Sequence, residues 1–216
     1  MLFRSPVTGR KPQKLPLAGW STWLTRPVEQ SKALAGLLER LGSEVIIEPT
    51  TRITTVRNTG ELDAAIRGLS SFQWVAFTSA NGVRAFGERL RALRLGVPTS
   101  ETIRFAVVGE GTAAALEELG IKASLVAATP DAAGLVRSLT EQGVAGLRVL
   151  LPRSSLAGPE AVDGLLNVGA VVEPVVAYET VPALNLASPV VARLKRDELS
   201  CAVFASGSAF DAVLSV

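Results

Sequence analysis

The chain repeats itself. The stretch Trp74-Val75-Ala76-Phe77-Thr78-Ser79-Ala80-Asn81-Gly82-Val83 returns 127 residues later as Cys201-Ala202-Val203-Phe204-Ala205-Ser206-Gly207-Ser208-Ala209-Phe210, with Phe77 on Phe204 and Ser79 on Ser206 and no gap. The same offset pairs Gly19 with Gly146, Leu24 with Leu151, Arg26 with Arg153, Leu38 with Leu165, Gly42 with Gly169 and Val45 with Val172. One offset held across so many apolar, glycine and arginine positions marks an internal duplication. The chain must therefore build one α/β unit twice.

The unit can be read from its periodicities. Trp20 to Thr25 is a short apolar run suited to a buried strand, and Arg26-Pro27 follows with Pro at the first helical position. Leu34, Leu37, Leu38 and Leu41 then recur at helical spacing up to Gly42. Val45 to Ile47 is a second strand, and Thr50 to Val56 alternates β-branched and polar residues as an exposed ribbon would. Leu62, Ala65, Ile66 and Leu69 make a helix face before the strand at Trp74, and a helix follows from Asn81 to Leu93. After a loop around Pro98, Ile103 to Val108 is a strand stopped by Gly109-Glu110-Gly111-Thr112, and the next helix is capped by Gly120. Ala123 to Ala127 is a strand, and Thr129-Pro130-Asp131 opens a helix with a cap residue followed by Pro. The second copy runs through strands at Leu147–Leu151 and Val171–Ala177, places Tyr178 to Pro182 where the first ribbon stood, and reaches its organising strand at Cys201. Strands alternating with helices give parallel sheets covered on both faces.

Composition narrows the chemistry. Apolar residues make up 48% and charged residues 19%, enough to fill a core, and the net charge of +2 implies no general attraction to nucleic acid. No apolar run approaches the ~18 residues of a membrane span. The chain contains no His, which removes the commonest general base and metal ligand. Its one cysteine, Cys201, lies in an apolar strand pattern and reads as a core residue; a lone cysteine cannot close an internal disulfide, so a cytoplasmic setting is expected. Arg4, Arg10, Lys11 and Lys14, with no acid and three prolines, read as a flexible basic tail over 1–17.

Five strand ends carry small polar or glycine residues ahead of a helix: Thr25-Arg26, Ser79 to Asn81, Gly109 to Thr112, Pro152 to Ser155, and Ser206 to Ser208. In parallel sheets such C-terminal strand ends line the ligand crevice, and free N–H groups there receive carboxylate or phosphate. Plain helix capping accounts for any one of them. Five in a duplicated frame, two bearing Arg26 and Arg153 at equivalent places, point to a polyanionic ligand between two lobes. A rival reading comes from Gly109-x-Gly111-x-x-Ala114 with Asp131 beyond, which matches a nicotinamide dinucleotide fingerprint. Ser154, Ser155 and Ser206 have no His partner, so a serine triad is excluded. Tyr178, the only tyrosine, follows a strand beside Glu179 and Thr180. It is either a half-buried ribbon residue or an acid, since a phenol keeps its proton at neutral pH.

Taken in order, Leu24-Thr25-Arg26-Pro27, Phe77-Thr78-Ser79-Ala80-Asn81-Gly82-Val83, Val108-Gly109-Glu110-Gly111-Thr112-Ala113, Val126-Ala127-Ala128-Thr129-Pro130-Asp131 and Ala177-Tyr178-Glu179-Thr180 resemble the uroporphyrinogen-III synthase family from about Ala18 onward. The resemblance implies an enzyme that takes the linear polycarboxylate hydroxymethylbilane, expels its hydroxyl, inverts the terminal ring and closes the macrocycle, with no metal and no cofactor. It implies an α/β fold of two lobes joined by a two-stranded ribbon: 18–49 with 183–216, then 56–176, with 50–56 and 177–182 as the ribbon. Tyr178 matches the tyrosine proposed to assist departure of the hydroxyl. Arg26, Thr78, Ser79, Asn81, Gly82, Gly109, Thr112, Ala113, Arg153, Ser206 and Ser208 fall on its substrate-facing turns. A cytoplasmic monomer without nucleic-acid or membrane partners is expected. Phe204-Ala205-Ser206-Gly207-Ser208 departs from the family's usual Thr and Pro, and the counterpart of the Gly109 loop would fall beyond Val216, so a shortened lobe with an open sheet edge is expected. The alternative in another class is a non-catalytic anion-binding or tetrapyrrole-binding module on the same fold.

Overall fold

The computed structural model describes residues 15–96 and 103–214; most of the basic tail and the loop around Pro98 lie outside them. The described elements run β1 (Ser21–Leu24), α1 (Val28–Arg40), β2 (Glu44–Ile47), β3 (Thr51–Thr55), α2 (Gly60–Arg67), β4 (Trp74–Phe77) and α3 (Ala80–Ala92). They continue with β5 (Arg104–Val107), α4 (Gly109–Glu117), β6 (Leu125–Val126), α5 (Ala132–Glu141), β7 (Arg148–Ser154) and α6 (Glu160–Asn167). The last are β8 (Val171–Pro182), α7 (Pro189–Lys195), β9 (Cys201–Val203) and α8 (Gly207–Leu214). Two sheets form, one of three strands in the order β2-β1-β9 and one of six in the order β3-β8-β7-β4-β5-β6. They belong to two compact units, one made of the residues up to Arg52 with those from Pro182 onward, the other Ile53–Val181.

The duplication is written into the hydrogen-bond register. Ser21 pairs with Glu44 in the first sheet, and Arg148 with Val171 in the second, each shifted by the repeat offset. Thr22 pairs with Cys201, and Val149 with Trp74, again at the same offset. The orders β2-β1-β9 and β8-β7-β4 are thus one arrangement made twice, with β4 and β9 traded between the copies. A one-residue slip would turn every side chain to the opposite face, so equal register means that equivalent residues face equivalent ways. Gly42 and Gly169, counterparts at helix ends, both hold a left-handed φ (98° and 83°), where a side chain would be strained.

The six-stranded sheet divides its core by strand alternation. Val75, Phe77, Phe105, Val107 and Leu150 pack on the side of α2, α3 and α4. Trp74, Ala76, Ala106, Val149 and Leu151 pack on the side of α5 and α6. The strand ends needed by a site are thereby fixed in a packed frame. Each fully buried large apolar side chain adds about 1.5–3 kcal/mol.

Several expectations are corrected. Pro27 is the residue before α1 rather than its first residue, and its carbonyl accepts from the N–H groups of Gln30 and Ser31. The Leu face of α1 stays largely open, with Leu34, Leu37 and Leu41 at 40%, 49% and 37% exposure. Leu17, placed in the tail, donates its N–H to the Leu41 carbonyl (2.8 Å). Cys201 is half-buried because β9 has a paired neighbour on one side only among the described residues. Asp131, not Thr129, caps α5, and Pro130 lies outside the helix. The strand after Leu147 does not stop at Pro152: β7 continues through Ser154, and α6 begins only at Glu160. Pro152 is tolerated because β4 pairs only with Val149 and Leu150, leaving the N–H side of the strand unladdered at that point.

Candidate active site

Strand β4 ends at Phe77, and Thr78-Ser79 carry the chain into α3. Ser79 is extended (φ −161°) and is the N-cap: its Oγ accepts from the Gly82 N–H at 3.1 Å. Gly82 is buried, and a Cβ there would stand 3.1 Å from the Pro152 carbonyl oxygen, so the start of α3 lies tight against β7. The same Ser79 Oγ lies 2.8 Å from the Tyr178 hydroxyl, an oxygen 99 positions away in sequence.

Tyr178 reaches that place through a bulge. Arg153 pairs with Val176 but Ser154 pairs with Tyr178, so Ala177 is an extra residue in β8. A bulge breaks the strict alternation of a strand and re-aims the side chain beside it. Ala177 and Tyr178 are accordingly both buried, in the cluster that holds Val75, Phe77 and Leu150. The Tyr178 carbonyl accepts from the Ser155 N–H (3.0 Å), which locks the backbone. The expected break between a strand ending at Ala177 and a ribbon starting at Tyr178 is therefore absent; β8 is one strand of twelve residues.

Tyr178 and Ala177 line a groove of about 430 Å³ with Ile53 to Val56, Thr59, Asn81, Arg84, Ala85, Glu88 and Arg89. Asn81, Arg84, Ala85 and Glu88 are spaced as one helical face. That spacing is the signal by which sequence reasoning, which stopped at Gly82, could have found Arg84 and Glu88. The Arg84 guanidinium makes one long hydrogen bond to the Asn81 amide oxygen (3.3 Å). Arg89 is spent otherwise: it grips both Asp63 carboxylate oxygens at 2.7 and 2.8 Å, and Thr59 donates to Asp63 at 3.0 Å. The Arg89 hydrogen bond holds the Asp63 carboxyl below the usual carboxylate range against the opposing effect of burial, and raises Arg89 in turn. This pair ties α2 to α3 beneath the groove.

The other expected ligand residues separate into groups. Thr78, Ser79, Asn81 and Gly82 gather at the end of β4, and Gly109, Thr112 and Ala113 at the neighbouring end of β5, where the Val108 N–H bonds the Phe77 carbonyl (3.1 Å). Thr112 and Ala113 bury their side chains, so only the Gly109 to Gly111 backbone is offered there. Gly82 spends its N–H on Ser79; the first-turn N–H groups of Ala80 and Asn81 remain. The Arg153 guanidinium donates to the carbonyls of Ala157 and Gly158, bracing the turn before α6. In the other unit Arg26 is exposed, and Ser206 caps α8 through the Ala209 N–H (3.2 Å) and touches the Ser208 hydroxyl (3.1 Å). Asp131, the acid of the dinucleotide reading, is the helix cap of α5, its Oδ1 accepting from the Gly134 N–H at 2.6 Å. Among the described residues no three His, Cys, Asp or Glu side chains gather as metal ligands, and no helix is long and apolar enough to cross a membrane.

Comparison with known proteins adds the family. The family model described as "Uroporphyrinogen-III synthase HemD" matches residues 32–216. The chain is 34% identical over 195 residues to the uroporphyrinogen-III synthase of Synechococcus elongatus, covering 88% of this chain and 72% of that one. It is 25% identical over 202 residues to the porphyrin biosynthesis protein HemD of Ruminiclostridium josui, covering 94% of this chain and 40% of that one. The fold resembles the crystal structure of a mutant uroporphyrinogen III synthase from Thermus thermophilus, with a TM-score of 0.64 at 21% identity over 91% of this chain and 76% of that one. A register repeated across two sheets, a buried tyrosine at a strand-end groove and these likenesses agree: the chain belongs to the uroporphyrinogen-III synthase family.

Proposed function

We propose that this chain cyclises hydroxymethylbilane to uroporphyrinogen III in tetrapyrrole biosynthesis, with Tyr178 as the proton donor to the departing hydroxyl. The observation that carries the assignment is the Tyr178 phenol, turned by the Ala177 bulge to a groove wall and held 2.8 Å from Ser79. The substrate supplies most of the driving force. A pyrrole nitrogen lone pair expels the hydroxyl, the oxygen takes a proton and leaves as water, and the carbon left behind is attacked within the same molecule. The protein's part is to hold a flexible chain so that its ends meet, which can be worth a large factor. A positioned acid adds about 10²–10⁴. No His exists to serve, and exposed carboxylates are ionised at neutral pH.

The substrate's carboxylates are received by the open backbone N–H groups of Ala80 and Asn81 and of Gly109 to Gly111, at the starts of α3 and α4, with Thr78 beside them. Arg84 adds a charge on the groove wall. Arg26, Ser206 and Ser208 serve the same end in the other unit. The enzyme works as a cytoplasmic monomer, a setting supported by its single cysteine. The test is to supply freshly prepared hydroxymethylbilane and to separate the products by isomer. Closure with ring inversion supports the proposal; only the non-inverted isomer, at the rate seen without protein, sinks it.

A further inference from the structure

Ser79 stands among the expected ligand residues, yet its oxygen is committed elsewhere. We infer that Ser79 is a positioning residue, which frees the Tyr178 proton for the leaving hydroxyl and then donates its own O–H to the phenolate that remains. This rests on the reading of Tyr178 as the acid. A serine hydroxyl has one proton to give and two directions in which to accept. One accepting direction is taken by the Gly82 N–H at 3.1 Å, a group that can only donate. That bond fixes the Oγ and leaves its proton and one lone pair to face the Tyr178 hydroxyl at 2.8 Å. Either oxygen can donate in that pair. When Ser79 donates, the phenol proton is released toward the groove. As the C–O bond breaks, that proton passes to the departing oxygen and water leaves. The phenolate then accepts the Ser79 O–H, and takes up the proton that the attacking pyrrole carbon loses when the ring closes.

Neither partner can drift from the other. Ser79 is pinned by its cap, and Tyr178 by the bulge opposite Ser154 and the Ser155 N–H. The duplication supplies a comparison within the same molecule. Ser206, the counterpart of Ser79, makes the equivalent cap to the Ala209 N–H, but its hydroxyl neighbour is Ser208, and the chain has no second tyrosine. The cap is thus common to both copies, and the phenol contact belongs to one.

The experiment is a cycle of four proteins, wild type, Ser79→Ala, Tyr178→Phe and the double variant, with kcat and KM measured for hydroxymethylbilane. Ser79→Ala is expected to lower kcat about tenfold, one hydrogen bond of ordinary strength, with KM held near the wild-type value. Ser79→Thr should restore it. In the Tyr178→Phe background the same Ser79→Ala change should cost nothing further in kcat, whereas Ser206→Ala should have the same effect in both backgrounds. If Ser79→Ala does not fold, Ser79→Asp keeps an acceptor for the cap but offers no donor, and should lose at least as much kcat. An equal loss from Ser79→Ala with and without the Tyr178 hydroxyl overturns the proposal, because a cap or a ligand contact would behave so. Unchanged kcat in Tyr178→Phe alone overturns the reading of Tyr178 beneath it, and is read separately from that single variant.

Discussion

The two units make the same three-stranded arrangement in the same register and bury it very differently. In the larger unit Phe77 is fully buried, and so are its neighbours across the sheet. Its counterpart Phe204 is half-buried and leans edge-on against Phe210, itself 46% exposed. Leu165 on α6 is fully buried, while its counterpart Leu38 on the equivalent α1 is half-buried. The difference lies in the neighbours. β4 has β5 on its far side, and α6 has α5 packed so close that a Cβ on Gly164 would stand 2.8 Å from Val136. Among the described residues β9 has no strand beyond it, and α1 has no helix in the place of α5. Register is set locally by the repeated sequence; burial is set by what stands alongside.

The largest effect that could break this comparison is a pair of matched truncations. Phe77→Ala should cost about 3–5 kcal/mol, and Phe204→Ala about 1 kcal/mol, read as shifts of urea midpoint in the two units. Equal losses would show that the equivalent strands are equally buried in solution. The next concerns the charge pairs that tie helices down. Asp63 and Arg89 have side chains 13% and 28% exposed, and Asp63→Asn should cost about 2 kcal/mol.

That pair also sets an acid response. Because the folded Asp63 carboxyl titrates below its unfolded range, its stabilisation is present above the unfolded value near ~3.9. It is lost as pH falls through the folded value. As pH falls below about 4 the wild type should lose stability more steeply than Asp63→Asn; parallel profiles would show that Asp63 does not set the acid response. In the smaller unit Arg193 holds Glu44 at 2.7 and 2.9 Å and also lowers its carboxyl range, yet the Glu44 side chain is 61% exposed. Glu44→Gln should have a smaller effect that fades in salt. The smallest change is expected at Leu37→Gln on the open face of α1, within about 0.5 kcal/mol, checked by the same midpoint.

Much of this was legible beforehand. The offset that joins Phe77 to Phe204 foretold the shared register, and the alternation of strands and helices foretold the parallel sheets. What escaped was whatever depends on a partner far away in sequence. The bulge at Ala177 is set by the ladder with Arg153 and Ser154, not by any residue type in Ala177-Tyr178. The bond from Tyr178 to Ser79 joins two elements with no local signal. Pro152 reads as a breaker, yet sits inside β7 because its N–H side lies past the end of β4. The leucines of α1 have the periodicity of a buried face, but periodicity states which side is apolar and not whether anything covers it.

The Ala177 bulge turns the Tyr178 hydroxyl, the proposed proton donor, to the groove. The most direct measurement is the single-turnover rate of Tyr178→Phe with hydroxymethylbilane, alongside its affinity for the product. Loss of the proton with the ring retained should slow the chemical step by about 10²–10⁴ and leave product affinity nearly unchanged. A rate equal to that of the wild type would contradict the account: Tyr178 would then be a packing residue, and the orientation of the substrate alone would close the ring.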